Sequence, residues 1–329
     1  MELKDLEIDK DCKILITGVG GFIGSNLLEF FLSKGIYVRG IDNFSTGFKR
    51  NIEEAVCEAR KINKNIRFDF IEGDIVSCEK CLEATSDINI VLHEAALGSV
   101  QRSLDKPIES NSNNIDGTLN LLKASLDNKV NKFIYASSSS VYGDAEVLPK
   151  SEEMQPNPKS IYAVTKLTGE YYCRLFYKIY GLKTVSLRYF NVFGRRQNPN
   201  SVYSAVIPKF VKRISENKAP IIYGDGEQSR DFTYIDNVVY ANYLALMSNN
   251  LNVFGNFYNI ACGNRVSLNE VVKILEKLFN KKIMPEYRNP RDGDIKHSLA
   301  LIKRAEEDIN YTKITDFEDG LKCLLSYFF

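Results

Sequence analysis

The sequence predicts an α/β protein with a doubly wound parallel sheet, because short apolar runs alternate with helical patterns from residue 12 to residue 188. A glycine-rich loop follows the first apolar run, and Asp42 ends the second. Beyond Tyr189 the segments shorten and the loops lengthen. These observations indicate one large sheet domain with a smaller mixed α/β domain beside it.

Each predicted strand is a short apolar run bounded by turn residues, as expected for strands buried on both faces. These runs cover residues 12–17, 36–41, 66–71, 88–92, 132–136 and 184–188. Helical patterns cover 22–33, 115–126 and about 162–180. A strand-like run at 257–260 is expected to return to the large domain. The domains are therefore interleaved, with the large one at 1–189 and about 231–260, and the smaller one at 190–230 and 261–329.

Composition and charge exclude several classes of protein. The 329 residues are 44% hydrophobic and 26% charged, and 43 basic against 42 acidic residues give a net charge of +1. That balance gives no reason to expect nucleic acid or a membrane surface as a partner. The first residues are charged and no apolar run has the length of a membrane span, so neither a signal peptide nor a transmembrane helix is expected.

Cysteine usage favours a reducing compartment. The 7 cysteines are an odd number and are scattered along the chain, unlike a disulfide framework. Cys78 and Cys81 form a single CxxC, and the sequence has only 2 histidines, so no metal site is expected. We therefore predict a cytoplasmic protein.

The loop from Gly18 to Gly24 has the features of a dinucleotide site. Glycines let the backbone approach a pyrophosphate, and the N–H groups that open the next helix can bind the anion. Glycine spacing alone is weak evidence, because an unrelated α/β protein can have a structural glycine turn. Here the loop lies between a predicted strand and a helix, and Asp42 ends the next strand.

Asp42 favours NAD over NADP, because its carboxylate can bind both ribose hydroxyls and would repel a 2′-phosphate. The nearby basic residues Lys49 and Arg50 weigh slightly against that preference. Asp74 follows the third predicted strand and could contact the adenine, although an acid at this position is often a turn residue. The sequence thus predicts bound NAD.

Tyr162 and Lys166 are four residues apart on a predicted helix, so the phenol and the ammonium share one face. A nearby cation favours phenolate over phenol, which would make Tyr162 a usable base near neutral pH. Ser138 follows a strand at the sheet edge where such folds bind ligands. Each feature alone could be an exposed helix face or a polar turn. Together with a dinucleotide they predict hydride chemistry at a carbinol carbon.

The chain resembles the extended short-chain dehydrogenase/reductase family and, within it, the nucleotide-sugar 4-epimerases. The resemblance covers almost the whole chain from Lys13 onward. It rests on the stretches 17–24, 93–96, 114–118, 137–143, 162–166, 187–191 and 229–236. It implies a Rossmann domain that holds NAD and a second domain that binds a UDP-sugar.

The resemblance also implies catalytic roles. Tyr162 would take the proton of the sugar 4-hydroxyl while C4 passes hydride to NAD, and Ser138 would relay the proton. Lys166 would hold the nicotinamide ribose and lower the pKa of Tyr162. The 4-keto sugar would then turn over and receive the hydride on its other face. Related dehydratases carry an Asp-Glu pair where this chain has Ser139 and Ser140, and related decarboxylases a glutamate at the second position, which argues for plain epimerisation.

The residues that the resemblance assigns to ligands form two sets. The cofactor set is Gly18, Gly21, Phe22, Ile23, Gly24, Asp42, Asn43, Ser45, Gly47, Asp74, Ile75, Ala95, Ala96, Asn114, Tyr162, Lys166 and Tyr189. The substrate set is Gly98, Ser99, Ser138, Ser139, Ser140, Asn191, Val206, Ile207, Tyr223, Arg230, Arg291 and Ser298. Within it, Arg230 and Arg291 would bind the diphosphate, and residues 206–208 would read the uracil.

The stretches 195–203 and 291–298 resemble the bacterial and archaeal subgroup that acts on UDP-N-acetylhexosamines or their uronic acids. In that subgroup a small residue replaces a bulky gatekeeper beside the sugar, and Ser298 falls on this position. Gly98 and Ser99 also match the subgroup. A small side chain leaves room for a 2-acetamido group, so we expect UDP-N-acetylglucosamine and UDP-N-acetylgalactosamine as the substrate pair.

Two alternatives stay open at this point. A UDP-glucose/UDP-galactose or UDP-glucuronate 4-epimerase would keep the fold and the mechanism, and Arg102, Arg195 or Arg196 could face the carboxylate of a uronate. A non-catalytic NAD-sensing protein would be expected to lose Tyr162 or Lys166, and both are present.

The resemblance further implies a homodimer, because the helices after Asn114 and Tyr162 pair with their symmetry mates in a four-helix contact. Apolar residues at helical spacing on these helices are Leu119, Leu122, Leu126, Tyr171, Leu175 and Ile179. They could equally belong to the core. The natural pathway for such an enzyme is the supply of a surface polysaccharide precursor.

Overall fold

The computed structural model describes residues 3–200, 205–290 and 296–328. The strands of this part of the chain are β1 (Lys13–Thr17), β2 (Tyr37–Asp42), β3 (Arg67–Glu72), β4 (Ile90–His93), β5 (Lys132–Ser138), β6 (Lys183–Tyr189), β7 (Val192–Phe193), β8 (Ile221–Tyr223), β9 (Ser229–Arg230), β10 (Thr233–Tyr234), β11 (Asn256–Ile260), β12 (Val266–Ser267) and β13 (Glu286–Arg288). The α-helices are α1 (Phe22–Ser33), α2 (Lys49–Ile62), α3 (Cys78–Thr85), α4 (Val100–Asp105), α5 (Pro107–Asn111), α6 (Gly117–Asp127), α7 (Ile161–Tyr180), α8 (Val206–Ser215), α9 (Ile235–Met247), α10 (Leu268–Leu278), α11 (Lys303–Ile309) and α12 (Phe317–Phe328).

Seven parallel strands form the central sheet, in the order β3-β2-β1-β4-β5-β6-β11. The strand order reverses between β1 and β4, the point at which doubly wound sheets open a ligand crevice at their carboxyl edge. Each strand of this sheet begins and ends within two residues of its predicted run. The predicted class, an α/β fold with a doubly wound parallel sheet, is confirmed.

Helices cover both faces of the sheet. On one face α1, α2 and α9 bury apolar side chains such as Leu28, Ile52 and Val238. On the other face α3, α6 and α7 bury a second cluster that includes Leu121 and Cys173. Strands β1 to β5 contribute to both clusters, because successive side chains of a strand point to opposite faces.

Helix α7, which carries the tyrosine and lysine, has a cap at each end. The Ser160 hydroxyl accepts a hydrogen bond from the backbone N–H of Ala163 at 3.1 Å. At the other end Gly181 adopts a φ of 75° and its N–H donates to the Tyr177 carbonyl. These caps satisfy backbone groups that a helix otherwise leaves unpaired, and they fix Tyr162 in the first turn.

The chain beyond β6 adds three two-stranded sheets, β7-β10, β9-β12 and β8-β13, and returns to the central sheet through β11, which precedes β12 and β13 in the chain. The buried carboxylate of Asp231 joins segments of this region. It accepts backbone N–H bonds from Cys262 at 3.0 Å, Gly263 at 3.1 Å and Ala300 at 3.2 Å. Burial raises the pKa of Asp231 to about 6, and these bonds act in the opposite direction. The division of the chain into two domains stays a prediction.

Helix α6 gives its apolar face to the core of this chain. Leu122 is fully buried between α6 and the sheet, and Leu119 and Leu126 pack against the same cluster. Six apolar residues were candidates for the four-helix contact of a homodimer. Of these, the exposed ones are Tyr171, Leu175 and Ile179 of α7. Beside α7, the short helices α4 and α5 expose Val100, Leu104 and Ile108.

Among the helices in the described ranges, none is both long enough and apolar enough to cross a bilayer.

Candidate active site

The glycine loop between β1 and α1 leaves no room for side chains. A Cβ on Gly18 would lie 2.8 Å from the backbone of Ala95, and one on Gly24 would lie 2.2 Å from the carbonyl oxygen of Gly18. Gly18 also has a φ of 68°, in the left-handed region that favours glycine. A cradle that a single methyl group would fill fits a dinucleotide pyrophosphate, which must approach the backbone closely.

Asp42 is fixed at the end of β2 by the loop itself. Its carboxylate accepts the backbone N–H groups of Gly20 at 2.8 Å and Phe44 at 2.7 Å. A Cβ on Gly47 would lie 3.0 Å from the same carboxylate, which explains a glycine there. Burial raises the pKa of Asp42, and the two backbone bonds act to lower it. The acid is thus positioned for a ribose.

The two basic residues near Asp42 are engaged elsewhere. Lys49 forms an ion pair with Glu72 at 3.2 Å, and its ammonium lies 5.2 Å from the ring centre of Phe44. The Arg50 guanidinium lies 4.8 Å from the ring centre of Phe48. These contacts weaken the sequence argument for NADP.

A cavity at the carboxyl edge of the sheet brings together nine residues of the predicted cofactor set. They are Gly18, Gly21, Asp42, Asn43, Ser45, Asp74, Ile75, Ala95 and Ala96. The cavity, called the cofactor cleft from here on, is also lined by residues that the sequence did not single out, namely Ile41, Thr46, Gly73, Glu94, Leu97 and Asn113. Asp74 accepts hydrogen bonds from Asn43 and from the Val76 N–H, so it is both a turn residue and part of the lining.

Other members of the cofactor set lie around this cleft. Phe22, Ile23 and Gly24 form the first turn of α1. Asn114 lies in a π-helical turn, Ser112–Asp116, and its amide joins the backbone of Leu97 to the Thr165 hydroxyl of α7. Such turns are frequent at functional sites.

The structure brings Ser138, Tyr162 and Lys166 together at this edge. Ser138 is the last residue of β5, and its hydroxyl hydrogen-bonds the Tyr162 phenol. The Lys166 ammonium donates to the Ala136 carbonyl at 2.7 Å and lies 5.9 Å from the Tyr162 ring centre. A hydroxyl, a phenol and an amine therefore converge where the sheet opens, as proton transfer at a carbinol requires.

The predicted lowering of the Tyr162 pKa is wrong. Burial raises the pKa of Tyr162, the negative charge of Glu94 adds to that rise, and the Ser138 bond opposes it. Burial also lowers the pKa of Lys166 to about 8, although Glu94 acts in the other direction. Lys166 is thus a weakened cation tied to a backbone carbonyl, and desolvation of the phenol dominates.

Glu94 is the functional candidate that the sequence analysis missed. It follows β4, lines the cofactor cleft and influences the pKa values of both Tyr162 and Lys166. The signal for it was present, because residues 93–96 carried part of the family resemblance. Its neighbour His93 hydrogen-bonds Thr17 and Thr118 in the core, and burial lowers the pKa of His93 to about 3.

A second cavity collects five residues of the predicted substrate set. They are Asn191, Val206, Ile207, Tyr223 and Arg230. Further lining residues are Val192, Phe193, Ala205, Ile221, Gln228, Phe232 and Leu268. The Gln228 amide nitrogen donates to the Tyr223 carbonyl, and its buried oxygen has no partner within the described residues. An orphaned acceptor in a cavity is suited to a ligand that donates.

The remaining substrate candidates lie in three places. Gly98 and Ser99 precede α4, and Ser139 and Ser140 form a 3₁₀ turn directly after Ser138. Ser298 is buried, and its N–H donates to the Ser229 carbonyl at 3.0 Å, next to Arg230. Arg291 and residues 201–203 lie outside the described residues.

Two of the three arginines suggested for a uronate carboxylate are bound elsewhere. Arg195 pairs with Asp236 at 2.9 Å and with Glu29 at 3.4 Å. Arg196 is buried and pairs with Glu29 and with Glu54. Both therefore bind carboxylates of the protein itself, on α1, α2 and α9.

In the ranges that the structure covers, no group of three or more His, Cys, Asp or Glu side chains could hold a metal ion.

Replacing Asp42 with alanine is expected to weaken NAD binding about 10- to 100-fold, since charge-assisted hydrogen bonds contribute about 1.5–3 kcal/mol. Bound cofactor released by acid and quantified by chromatography measures the change. Asp42→Asn is the matched control: it keeps the size of the side chain, and its single amide oxygen can accept one of the two N–H groups that bind separate carboxylate oxygens, that of Gly20 or that of Phe44. An unchanged cofactor content in Asp42→Ala would show that Asp42 does not hold the ribose.

Comparisons with known proteins agree with this geometry. The family model described as the NAD dependent epimerase/dehydratase family matches residues 14–261. A UDP-N-acetylglucosamine 4-epimerase from Methanobrevibacter ruminantium, solved with UDP-N-acetylmuramic acid, is similar at 37% identity and a TM-score of 0.89, covering 97% of this chain and 99% of that one.

Two further solved structures are similar over 96% of this chain and 98% of their own. A UDP-glucose 4-epimerase from Thermotoga maritima, solved with UDP-glucose, is 34% identical with a TM-score of 0.86. A UDP-glucuronic acid 4-epimerase from Bacillus cereus, solved with UDP-glucuronic acid and NAD, is 35% identical with a TM-score of 0.84. The family model spans residues 14–261, which include the glycine cradle, Asp42 and the convergent Ser138, Tyr162 and Lys166, and the chain belongs to the NAD dependent epimerase/dehydratase family.

Proposed function

We propose that this NAD-dependent UDP-sugar 4-epimerase interconverts UDP-N-acetylglucosamine and UDP-N-acetylgalactosamine. The observation that carries the proposal is Ser298, a small buried residue hydrogen-bonded to the strand of Arg230, at the position that the family resemblance assigns to the gatekeeper. A serine there leaves space for a 2-acetamido group. The similarity to a UDP-N-acetylglucosamine 4-epimerase at 37% identity supports the same substrate.

The catalytic residues have separate roles in proton transfer. The glycine cradle and Asp42 would hold NAD, which would supply the acceptor for the C4 hydride and the donor that returns it to the opposite face. Tyr162 takes the proton of the 4-hydroxyl and gives it back, and Ser138 stabilises the phenolate through its hydrogen bond. Lys166, fixed on the Ala136 carbonyl, supplies a positive charge to the cofactor ribose.

The two serines after Ser138 favour epimerisation over elimination. Neither Ser139 nor Ser140 can exchange a proton near neutral pH as a carboxyl group can. The Ser140 hydroxyl oxygen is buried and has no partner among the described residues. We infer that it hydrogen-bonds the sugar.

The second cavity is proposed to hold the nucleotide. Tyr223 would pack against the base, the Gln228 oxygen and the backbone at 206–208 would meet the uracil, and Arg230 would bind the diphosphate. Arg291 is proposed to assist Arg230. The nucleotide would thus be bound by the 190–230 and 261–329 domain, and NAD by the domain of 1–189 with about 231–260.

UDP-glucuronate is the second candidate substrate. The similarity to a UDP-glucuronic acid 4-epimerase favours it, and Arg102 lies on α4, whose Ser103 hydroxyl accepts the backbone N–H of Tyr162 at 3.0 Å. Of the three arginines, Arg102 is therefore the one on a helix that contacts α7, the helix of Tyr162. Arg195 and Arg196 contribute nothing to this alternative because they are paired with carboxylates.

The test is turnover by the purified protein without added cofactor. We would incubate it separately with UDP-N-acetylglucosamine, UDP-glucose and UDP-N-acetylglucosaminuronate or UDP-glucuronate, and follow the C4 epimers by anomeric proton NMR. Preferential formation of UDP-N-acetylgalactosamine is the expected result. Turnover of another sugar alone would overturn the substrate assignment, and turnover of none would overturn the enzymatic proposal.

Replacing Ser298 with tyrosine is expected to lower kcat/KM for the acetylated sugar at least about tenfold, because a filled pocket costs about 1–3 kcal/mol of discrimination. UDP-glucose turnover should change only a few-fold. Ser298→Ala, which keeps the side chain small, is the control and should retain the acetylated substrate. Equal losses for both sugars would contradict the gatekeeper role.

We also propose a homodimer, formed through the exposed apolar face of α7 and the adjoining face of α4 and α5. This surface consists of Tyr171, Leu175, Ile179, Val100, Leu104 and Ile108. The surface differs from the one expected from the sequence because it uses α4 and α5, since α6 buries its leucines in the core.

We further propose a cytoplasmic location. Seven free cysteines, three of them buried, support a reducing compartment. The product would supply a surface polysaccharide.

A further inference from the structure

Glu94 is held in the cofactor cleft by a chain of polar side chains. Its carboxylate accepts a hydrogen bond from the Tyr189 hydroxyl at 3.0 Å. That hydroxyl accepts in turn from the Asn242 amide at 2.8 Å, and the same amide donates to the Val238 carbonyl at 2.9 Å. The Tyr189 proton is therefore directed at Glu94, and the acid is anchored from behind by β6 and α9.

Glu94 lies near the catalytic side chains, so its charge affects their protonation. From α7, Tyr162 and Lys166 both interact with it through space. On β6, Tyr189 donates a hydrogen bond to Glu94. The residue of α9 that hydrogen-bonds the Tyr189 hydroxyl is the neutral Asn242. Asp42 and Asp74 line the same cleft, but Asp42 is bound by two backbone N–H groups, and Asp74 by the backbone N–H of Val76 and the side-chain amide of Asn43.

Two further titratable groups near α7, Glu170 and His93, add no net charge to the cleft. Glu170, one turn beyond Lys166, is paired with Arg188 in the core. His93 precedes Glu94 but is uncharged, because it is buried between two threonine hydroxyls. Glu94 is thus an acid of the cleft whose charge acts on the reacting groups without an ion-pair partner in the described residues.

We propose that Glu94 sets the charge of the active site: its carboxylate favours oxidised over reduced nicotinamide and favours the protonated form of Tyr162. The inference rests on the proposed role of Tyr162, because the nicotinamide must lie beside that residue if proton and hydride leave the same carbinol.

The balance of the reaction explains the effect. In the first half-reaction the C4–H bond breaks and its electron pair passes with the hydrogen to the nicotinamide, while the O–H proton passes to the Tyr162 phenolate, so the carbinol becomes a ketone. The nicotinamide ring is cationic before this step and neutral after it. A nearby anion stabilises the cation, so it opposes reduction.

The consequence is a cofactor that resists reduction by anything other than the bound sugar. In the half-reaction with the sugar, the two effects of Glu94 oppose each other, because the nicotinamide loses a positive charge while the Tyr162 phenolate loses a negative one. A reductant that acts without Tyr162 changes the nicotinamide alone, so the stabilisation of its cation is then felt in full.

Protonation of Glu94 should switch the effect off. Burial raises the pKa of Glu94 to about 7, while the Tyr189 bond and the charge of Lys166 act to lower it. The carboxylate is therefore charged above this pKa and largely neutral below it. The influence on the cofactor should be present at about pH 8 and fade toward about pH 6.

The test uses the holoenzyme with sodium cyanoborohydride as the reductant, so that its outcome does not depend on the sugar. The near-ultraviolet absorbance of reduced nicotinamide is followed over time. Glu94→Gln should be reduced about tenfold faster than the parent at about pH 8, as expected for removing one nearby charge. At about pH 6 the two proteins should react at similar rates.

Tyr189→Phe provides the second variant. It keeps the carboxylate but removes the bond that lowers the pKa of Glu94, so the transition from fast to slow reduction should move to higher pH. Equal rates for parent and Glu94→Gln at about pH 8, or a difference that does not vary with pH, would overturn the proposal. Failure of the UDP-sugar assignment would appear instead in the NMR assay, with the reduction kinetics unchanged.

Discussion

Replacing Tyr162 with phenylalanine is expected to lower kcat for epimerisation about 10²- to 10⁴-fold, the usual contribution of a positioned general base. The change removes one hydroxyl oxygen and leaves the half-buried ring in place beside Ser138. Lys166 is a poor substitute because its ammonium is bound to the Ala136 carbonyl. Initial rates from anomeric proton NMR at saturating sugar measure the loss.

The control for this variant is Tyr180→Phe, which removes an exposed hydroxyl at the far end of the same helix. It should retain the activity of the parent. Tyr162→Phe should also retain bound NAD, since the glycine cradle and Asp42 are unaffected. Activity of Tyr162→Phe within a few-fold of the parent would remove the tyrosine from the mechanism.

The parts of the fold that the sequence predicted are those that local patterns determine. The helix 22–33 was predicted with the limits that α1 has, because its start is fixed by the glycine loop and its apolar residues recur at helical spacing. Asp42 and Ser138 were expected at strand ends, and both are the last residues of their strands. The i, i+4 spacing of Tyr162 and Lys166 fixes a common helix face for the same reason.

What the sequence did not predict depends on contacts between distant segments. The series of hydrogen bonds from Glu94 through Tyr189 to Asn242 joins the end of β4 to β6 and α9, and no local sequence pattern predicts it. The direction of the Tyr162 pKa shift depends on how deeply the phenol is buried, which spacing along a helix does not specify. Arg196 was a candidate for a substrate carboxylate until the fold brought Glu29 and Glu54 to it.

The buried pair of Glu170 and Arg188 carries the largest expected effect on stability. Arg188 is 0% and Glu170 2% exposed, at a separation of 2.6 Å. The Glu170 carboxylate also accepts from Arg188 Nε at 2.8 Å and from the Ser137 hydroxyl at 2.5 Å. The pair therefore fastens α7 to β5 and β6, two turns along the helix from Tyr162.

Glu170→Leu is expected to lower the free energy of unfolding by about 3–5 kcal/mol, because it leaves the buried Arg188 charge unpaired. Urea denaturation followed by circular dichroism measures the change. Asp127→Leu is the control. It breaks an ion pair with Lys123 on the surface, where the Lys123 side chain is 62% exposed and that of Asp127 is 42% exposed. This change should lower the free energy of unfolding by no more than about 0.5 kcal/mol.

The double variant Glu170→Leu/Arg188→Met distinguishes an unpaired charge from lost packing. Arg188 also stacks on Phe257, with its guanidinium carbon 3.8 Å from the ring centre, and a methionine keeps much of that apolar contact. If the unpaired charge causes the loss, removing the arginine as well should restore part of the stability, as it does when buried pairs are replaced by apolar residues. A double variant less stable than Glu170→Leu would mean that the stacking of Arg188, and not its charge pairing, holds α7 against the sheet.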